Sequence, residues 1–111
     1  MEVVWSRLAK ETLVDILNYV ESNYGRIVAT KVYDRINRHV ETLMLFPRIG
    51  MRVPLYANNE IEVRYLINTP NIIHYLITGN TIIVISVLDT RRSPMAINKI
   101  VSDFIESNAK Y

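Results

Sequence analysis

Five of the arginines and both histidines carry most of the chemistry open to this sequence. Arg48 and Arg52 bracket the Pro47-Arg48-Ile49-Gly50 stretch, Arg64 stands in a β-type run, and Arg91-Arg92 close the most apolar run at Asp89-Thr90-Arg91-Arg92. In a compact sheet the loop and the strand-end pair lie within reach of one another. That predicts a local basic patch on a chain whose formal net charge is only +2. The plainer alternative, scattered solvated charges, is about as common on a small surface. Guanidinium groups without a positioned acid or base suit binding of an anion, a nucleic acid or an acidic partner better than they suit catalysis.

The other polar groups point to little chemistry. His39 falls on a predicted helix beside Arg38 and Glu41 and reads as solvated. His74 lies mid-strand, where alternation sets it on the face opposite Ile73 and Tyr75. It reads as a hydrogen-bonded structural histidine rather than a general base. Glu11, Asp15 and Glu21 occupy a predicted helix surface, with Arg7 and Lys10 as ion-pair partners. Glu60 and Glu62 flank a strand start, and no two carboxylates are placed to share an acid–base task. There is no cysteine, which excludes disulfides, thiolate nucleophiles and cysteine zinc sites together. Phosphate-cradling glycine loops, nucleophile elbows and H-E-x-x-H are absent. No metal or cofactor is expected.

The elements that must position these groups are legible from periodicity. Residues 61–92 form three apolar runs separated by Asn68-Thr69-Pro70-Asn71 and Thr78-Gly79-Asn80, which predicts an antiparallel three-stranded meander. Val3-Val4-Trp5 reads as a short edge strand and Ser6 as a helix N-cap. Ala9, Leu13, Ile16, Leu17 and Val20 then recur at helical spacing up to Gly25, a candidate C-terminal residue. Val28, Val32, Ile36, Val40 and Leu43 make the stripe of a second helix, expected to stop at Phe46-Pro47. Residues 51–60 read as a polar surface connection. Ser93-Pro94 starts a last helix with Ile97, Ile100, Val101, Phe104 and Ile105 on its apolar face, and residues 108–111 are expected to fray.

The predicted architecture is α+β over a single domain, residues 1–111: a short N-terminal strand, an antiparallel helical hairpin packed on the meander, and a C-terminal helix. At 111 residues and 50% hydrophobic content the chain can bury a real core. No run is long enough to span a membrane and the start lacks the pattern of a signal peptide, so no membrane partner and a cytoplasmic location are expected.

In this order and spacing the sequence resembles the RelE/ParE superfamily of toxins from bacterial type II toxin–antitoxin systems. The resemblance rests on Ser6, Ala9, Leu13 and Ile16, on Phe46-Pro47-Arg48-Ile49-Gly50, on Ile73-His74-Tyr75 and on Val87-Leu88-Asp89-Thr90-Arg91-Arg92. It implies a toxin held inactive by a cognate antitoxin that wraps it. RelE-type relatives cut mRNA on the ribosome with strand lysines and arginines and a C-terminal tyrosine, whereas ParE-type relatives poison DNA gyrase. Matched by position, the strand lysines fall on Glu62 and Arg64, the expected arginine on Ile72 and the tyrosine near Ile97. That departure, with the Leu-Asp-Thr-Arg-Arg ending, implies the ParE branch, an inhibitor rather than an enzyme, serving in plasmid stabilisation. Arg48, Arg91 and Arg92 are then the candidate target-binding residues. The alternative is an mRNA endoribonuclease whose partners are the ribosome and mRNA, with Arg64, His74 and Arg91 as its catalytic residues. A third possibility is a structural member that binds antitoxin without harming its target.

Overall fold

A computed structural model describes residues 1–56 and 61–107. The expectations for Ala57-Asn58-Asn59-Glu60 and for the terminal residues 108–111 lie outside the described residues. The elements follow the predicted order with one strand added, β2: β1 (Glu2–Trp5), α1 (Arg7–Tyr24), α2 (Arg26–Glu41), β2 (Met51–Arg52), β3 (Glu62–Asn68), β4 (Asn71–Thr78), β5 (Thr81–Asp89) and α3 (Pro94–Ser107). β3, β4 and β5 form the antiparallel meander, joined by Thr69-Pro70 and by Gly79-Asn80, where Gly79 takes a φ of 56°.

The sheet is wider than the meander. β1 adds parallel to β5 and β2 adds antiparallel to β3, giving the order β1-β5-β4-β3-β2. The expected polar connection over 51–60 thus begins with a two-residue edge strand and a 3₁₀ turn at Pro54–Tyr56. Nothing periodic marks so short a strand. Its pairing is set by β3 alongside it. The second helix also ends earlier than Phe46. It tightens at Thr42–Met44 into a 3₁₀ turn that seats Leu43 fully in the core.

Each face of the sheet has its own cover. Ala9, Leu13, Ile36, Val40 and Leu43 of the hairpin pack on Leu66, Ile73, Tyr75, Ile77, Ile82, Val84 and Val87. On the opposite face Val101 and Ile105 of α3 pack on Val63, Leu76 and Ile85. The near-continuous apolar character of β4 and β5 follows, since strands covered on both sides need apolar residues at every position.

One mismatch in length governs how the hairpin docks. β1 ends at Trp5 opposite Val84, so β5 continues past it with no strand on that edge. The start of α1 fills the gap. Ser6 donates its N–H to the Val84 carbonyl (3.0 Å) and its hydroxyl to the Ile85 carbonyl (3.0 Å). The same hydroxyl accepts from Ala9 N–H (2.9 Å), capping the helix. Thr12 Oγ1 donates to the Leu8 carbonyl (2.9 Å) and accepts from the Val87 N–H (3.0 Å). Backbone groups that would be buried without partners are satisfied by two hydroxyls nearly two helical turns apart.

Thr12→Val keeps the shape of the side chain but leaves the buried Val87 N–H without an acceptor. We expect a loss of about 1–3 kcal/mol, read from urea unfolding, with Thr12→Ser retaining most of the stability.

Candidate functional site

The end of β5 carries the exposed arginines. Asp89 accepts from Arg91 Nε (2.9 and 3.1 Å), from Arg91 Nη2 (2.5 Å) and from the Arg91 backbone N–H (2.7 Å). The hydrogen bonds from Arg91 hold the Asp89 carboxyl below its ordinary value, and the same contacts push the Arg91 pKa up. Thr90 donates both its N–H (2.8 Å) and its hydroxyl (3.0 Å) to the Pro70 carbonyl, tying this end to the β3–β4 turn. The Arg91 side chain is 68% exposed on this fixed base.

Beside it opens a groove of about 620 Å³ between the tip of the hairpin and the end of the sheet. Ile16, Val20, Val28 and Val32 line it, with Arg35, Arg91 and Arg92 on the polar side. These are the distal positions of the two helical stripes. Ala9, Leu13, Ile36 and Val40 reach the core, but Val28 is exposed, as are neighbouring Tyr19, Tyr24 and Ile27. The hairpin therefore presents apolar surface that its own sheet does not cover. Arg35 is fixed on Asn68, donating from Nε to Oδ1 at 2.8 Å. The Asn68 amide then faces His39, whose Nδ1 accepts from it at 3.0 Å. His39 is thus partnered and half-buried rather than solvated. The partner is 29 residues away in the chain, beyond reach of any local pattern.

Arg48 and Arg64 serve a different place. Glu62 pairs with both, at 3.2 Å from Arg48 and in a closer ion pair with Arg64. Arg64 Nη1 also donates to the carbonyls of Gly50 (2.6 Å) and Arg48 (3.3 Å). Burial alone raises the Glu62 pKa, but the Arg64 hydrogen bond and the charges of both arginines outweigh it and hold the carboxyl low. Tyr75 completes the clamp, its hydroxyl accepting from the Gly50 N–H (3.0 Å) and donating to the Pro47 carbonyl (2.8 Å). Burial pushes that phenol up. Glycine is required at position 50 because a Cβ there would stand 2.6 Å from the Tyr75 oxygen and 2.7 Å from the Tyr65 carbonyl. The Pro-Arg-Ile-Gly loop is a buckle on the sheet.

The five arginines do not form one patch. Glu62 is in register with Ile77, while Asn68 is in register with Asn71 and through it with Asp89. Arg64 and Asn68 are about 13 Å apart along the strand at ~3.3 Å per residue. Arg48 and Arg64 thus belong to one end of the sheet and Arg91-Arg92 to the other. Arg52 sits on the edge strand opposite Arg64. The three residues of the nuclease alternative are likewise apart. Arg64 lies on the hairpin face with its register partner Tyr75, and Arg91 lies at the far end. His74 is on the opposite face, as alternation requires, against the Tyr65 ring (5.8 Å between centroids). His74 is buried at 4% exposure and its Nδ1 has no hydrogen-bond partner among the described residues. The expected structural role thus rests on burial and on the Tyr65 ring, with no hydrogen bond at Nδ1. Burial brings its pKa down to about 4. Among the described residues no group of three or more His, Cys, Asp or Glu could hold a metal ion.

Two outcomes follow. Tyr75→Phe removes the hydroxyl from two backbone groups of the loop, and a loss of about 1–3 kcal/mol in chemical unfolding is expected. His74 is neutral in the fold with a pKa below the unfolded value of 6.5, so the unfolded chain binds the extra proton between those limits. Stability from this group is complete above pH 6.5 and declines as pH falls toward 4, by roughly 3 kcal/mol at most. His74→Leu should flatten the Tm-against-pH profile across that window; an unchanged slope would assign it to other groups.

The family described as "ParE toxin of type II toxin-antitoxin system, parDE" matches residues 3–94. Among solved structures, a chain of the "Chromosomal ParDE TA system from P. aeruginosa" is similar, with a TM-score of 0.65 at 20% identity, over 80% of this chain and 95% of that one. No curated protein matches the sequence.

Proposed function

Because the chain belongs to the ParE toxin family of type II toxin–antitoxin systems, we propose that it poisons DNA gyrase and is silenced by a cognate antitoxin. The observation that carries this reading is the display of Arg91 and Arg92 at the mouth of the hairpin groove. Asp89 and the Pro70 carbonyl pre-set their backbone, so little ordering is lost when a partner meets them. Arg48 contributes less directly, because Glu62 engages it and its side chain is 56% exposed.

The antitoxin would lay an amphipathic helix along the uncovered stripe of Ile16, Val20, Val28 and Val32. Acidic side chains at its edge would pair with Arg91 and Arg92. Binding there hides the apolar surface and the target-facing cations in one step, which makes neutralisation a matter of occupancy. Gyrase as target would place the protein in the cytoplasm. Among the described residues no helix is long and apolar enough to cross a membrane. The mRNA-cleavage alternative draws no support from the geometry, since the side chains it needs lie on two faces and at two ends of the sheet.

Purified gyrase, supercoiled DNA and this protein, incubated with and without ATP, are expected to yield dose-dependent linear DNA from trapped cleavage complexes. Arg91→Ala with Arg92→Ala should abolish that product and relieve growth arrest at equal protein level. Full toxicity of the double variant would remove the two arginines from the target site. Codon-phased mRNA cuts with no effect on gyrase would replace the target.

A further inference from the structure

The sheet face turned away from the hairpin holds a second recess. It lies between α3, the 3₁₀ turn Pro54–Tyr56 and the strands β3 and β4, with a volume of about 420 Å³. The family match ends at Pro94, the first residue of α3, so one whole wall lies outside it.

The lining is sorted by chemistry. Val53, Leu55, Ile72, Ile97 and Val101 make it mainly apolar, and the rings of Tyr56 and Tyr65 flank it. Tyr56 is held in place by its hydroxyl, 2.9 Å from Ser102 Oγ. Arg92 is the charged residue of the described lining, and no described carboxylate lines the recess to neutralise it. Asp89, its nearest acidic neighbour in sequence, is occupied by Arg91. Arg92 makes no salt bridge among the described residues.

His74 also lines this recess, with its Nδ1 unsatisfied at 4% exposure. Ser86, in register beside it on β5, has an equally unsatisfied buried hydroxyl. Both atoms are closed off from solvent and Ser86 does not line the recess, so what His74 offers an occupant is the edge of its ring as part of the floor. A buried neutral imidazole, aromatic walls and a lone guanidinium at the rim describe a complementary occupant. It has a flat ring and an anionic substituent.

We propose that the recess under α3 binds a small planar organic anion, an aromatic ring carrying a carboxylate or phosphate. Arg92 takes the anionic group, the tyrosines and α3 enclose the ring, and the His74 ring lies in the floor beneath it. This site is separate from the hairpin groove, and Arg92 lies on the wall between them.

The test is NMR of the full chain labelled at histidine and backbone nitrogen, titrated with 4-hydroxybenzoate, phenyl phosphate and neutral benzyl alcohol. Saturable shifts of the His74 ring and of the amides of Tyr65, Ile97 and Val101 are expected with an anionic probe and not with the alcohol. Arg92→Gln should weaken binding about tenfold or more, while Arg91→Gln leaves it intact. Asn98→Trp, at an exposed position on the lining, should block the recess without disturbing the core and abolish the shifts. The proposal fails if neither anion shifts His74 at millimolar concentration. It also fails if benzyl alcohol binds as well, or if binding survives both Arg92→Gln and Asn98→Trp.

Discussion

The structure depends first on how α1 completes the exposed edge of β5. A four-residue β1 cannot cover a nine-residue strand, and the uncovered half lies under a helix where water cannot reach it. Ser6 and Thr12 resolve this with hydroxyls that serve as donor and acceptor at once, joining helix backbone to strand backbone. Because these bonds are directional, they set the rotation of α1 on the sheet. That rotation buries Ala9 and most of Leu13, leaves Ile16 and Val20 only partly covered, and so produces the groove at the hairpin tip.

A second constraint acts at the opposite end. Arg48, Glu62, Arg64 and Tyr75 bind the Pro47–Gly50 loop to the sheet through charge-assisted and backbone hydrogen bonds. Arg64, a cation that would suit phosphate in isolation, is thereby committed to architecture, while Arg48 shares the same carboxylate and keeps 56% of its side chain exposed. The buckle and the β5 ending are built from the same residue type. They differ in the acid: Glu62 sits between a largely buried Arg64 and a half-exposed Arg48, whereas Asp89 grips one arginine and leaves its side chain 68% exposed.

These two ends give the domain a polarity. The hairpin tip, the groove and Arg91-Arg92 lie together at the Asn68–Asn71–Asp89 end, and the structural arginines lie at the other. α3 closes the second face through Val101 and Ile105, but it covers a sheet surface on which His74 and Ser86 keep unspent hydrogen-bonding capacity. The match to the ParE toxin family spans the hairpin and the meander and ends at the first residue of α3.

Much of the fold was legible in the residues. The periods of 3.6 and 2, Ser6 as cap, Ser93-Pro94 as helix start and the turns at 68–71 and 78–80 are local signals, and local backbone preference with side-chain burial is enough to decide them. The face on which His74 lies followed from strand alternation alone. Tertiary structure decided what has no local signal: β2, the Asn68 link from Arg35 to His39, Tyr75 as anchor of the loop, and which arginines are spent. Hydrogen bonds and ion pairs between residues 14 to 79 positions apart depend on register and on the docking angle of α1. Sequence by itself therefore determined the elements and the resemblance that names the family; only the packed sheet determined that the cations divide between two ends.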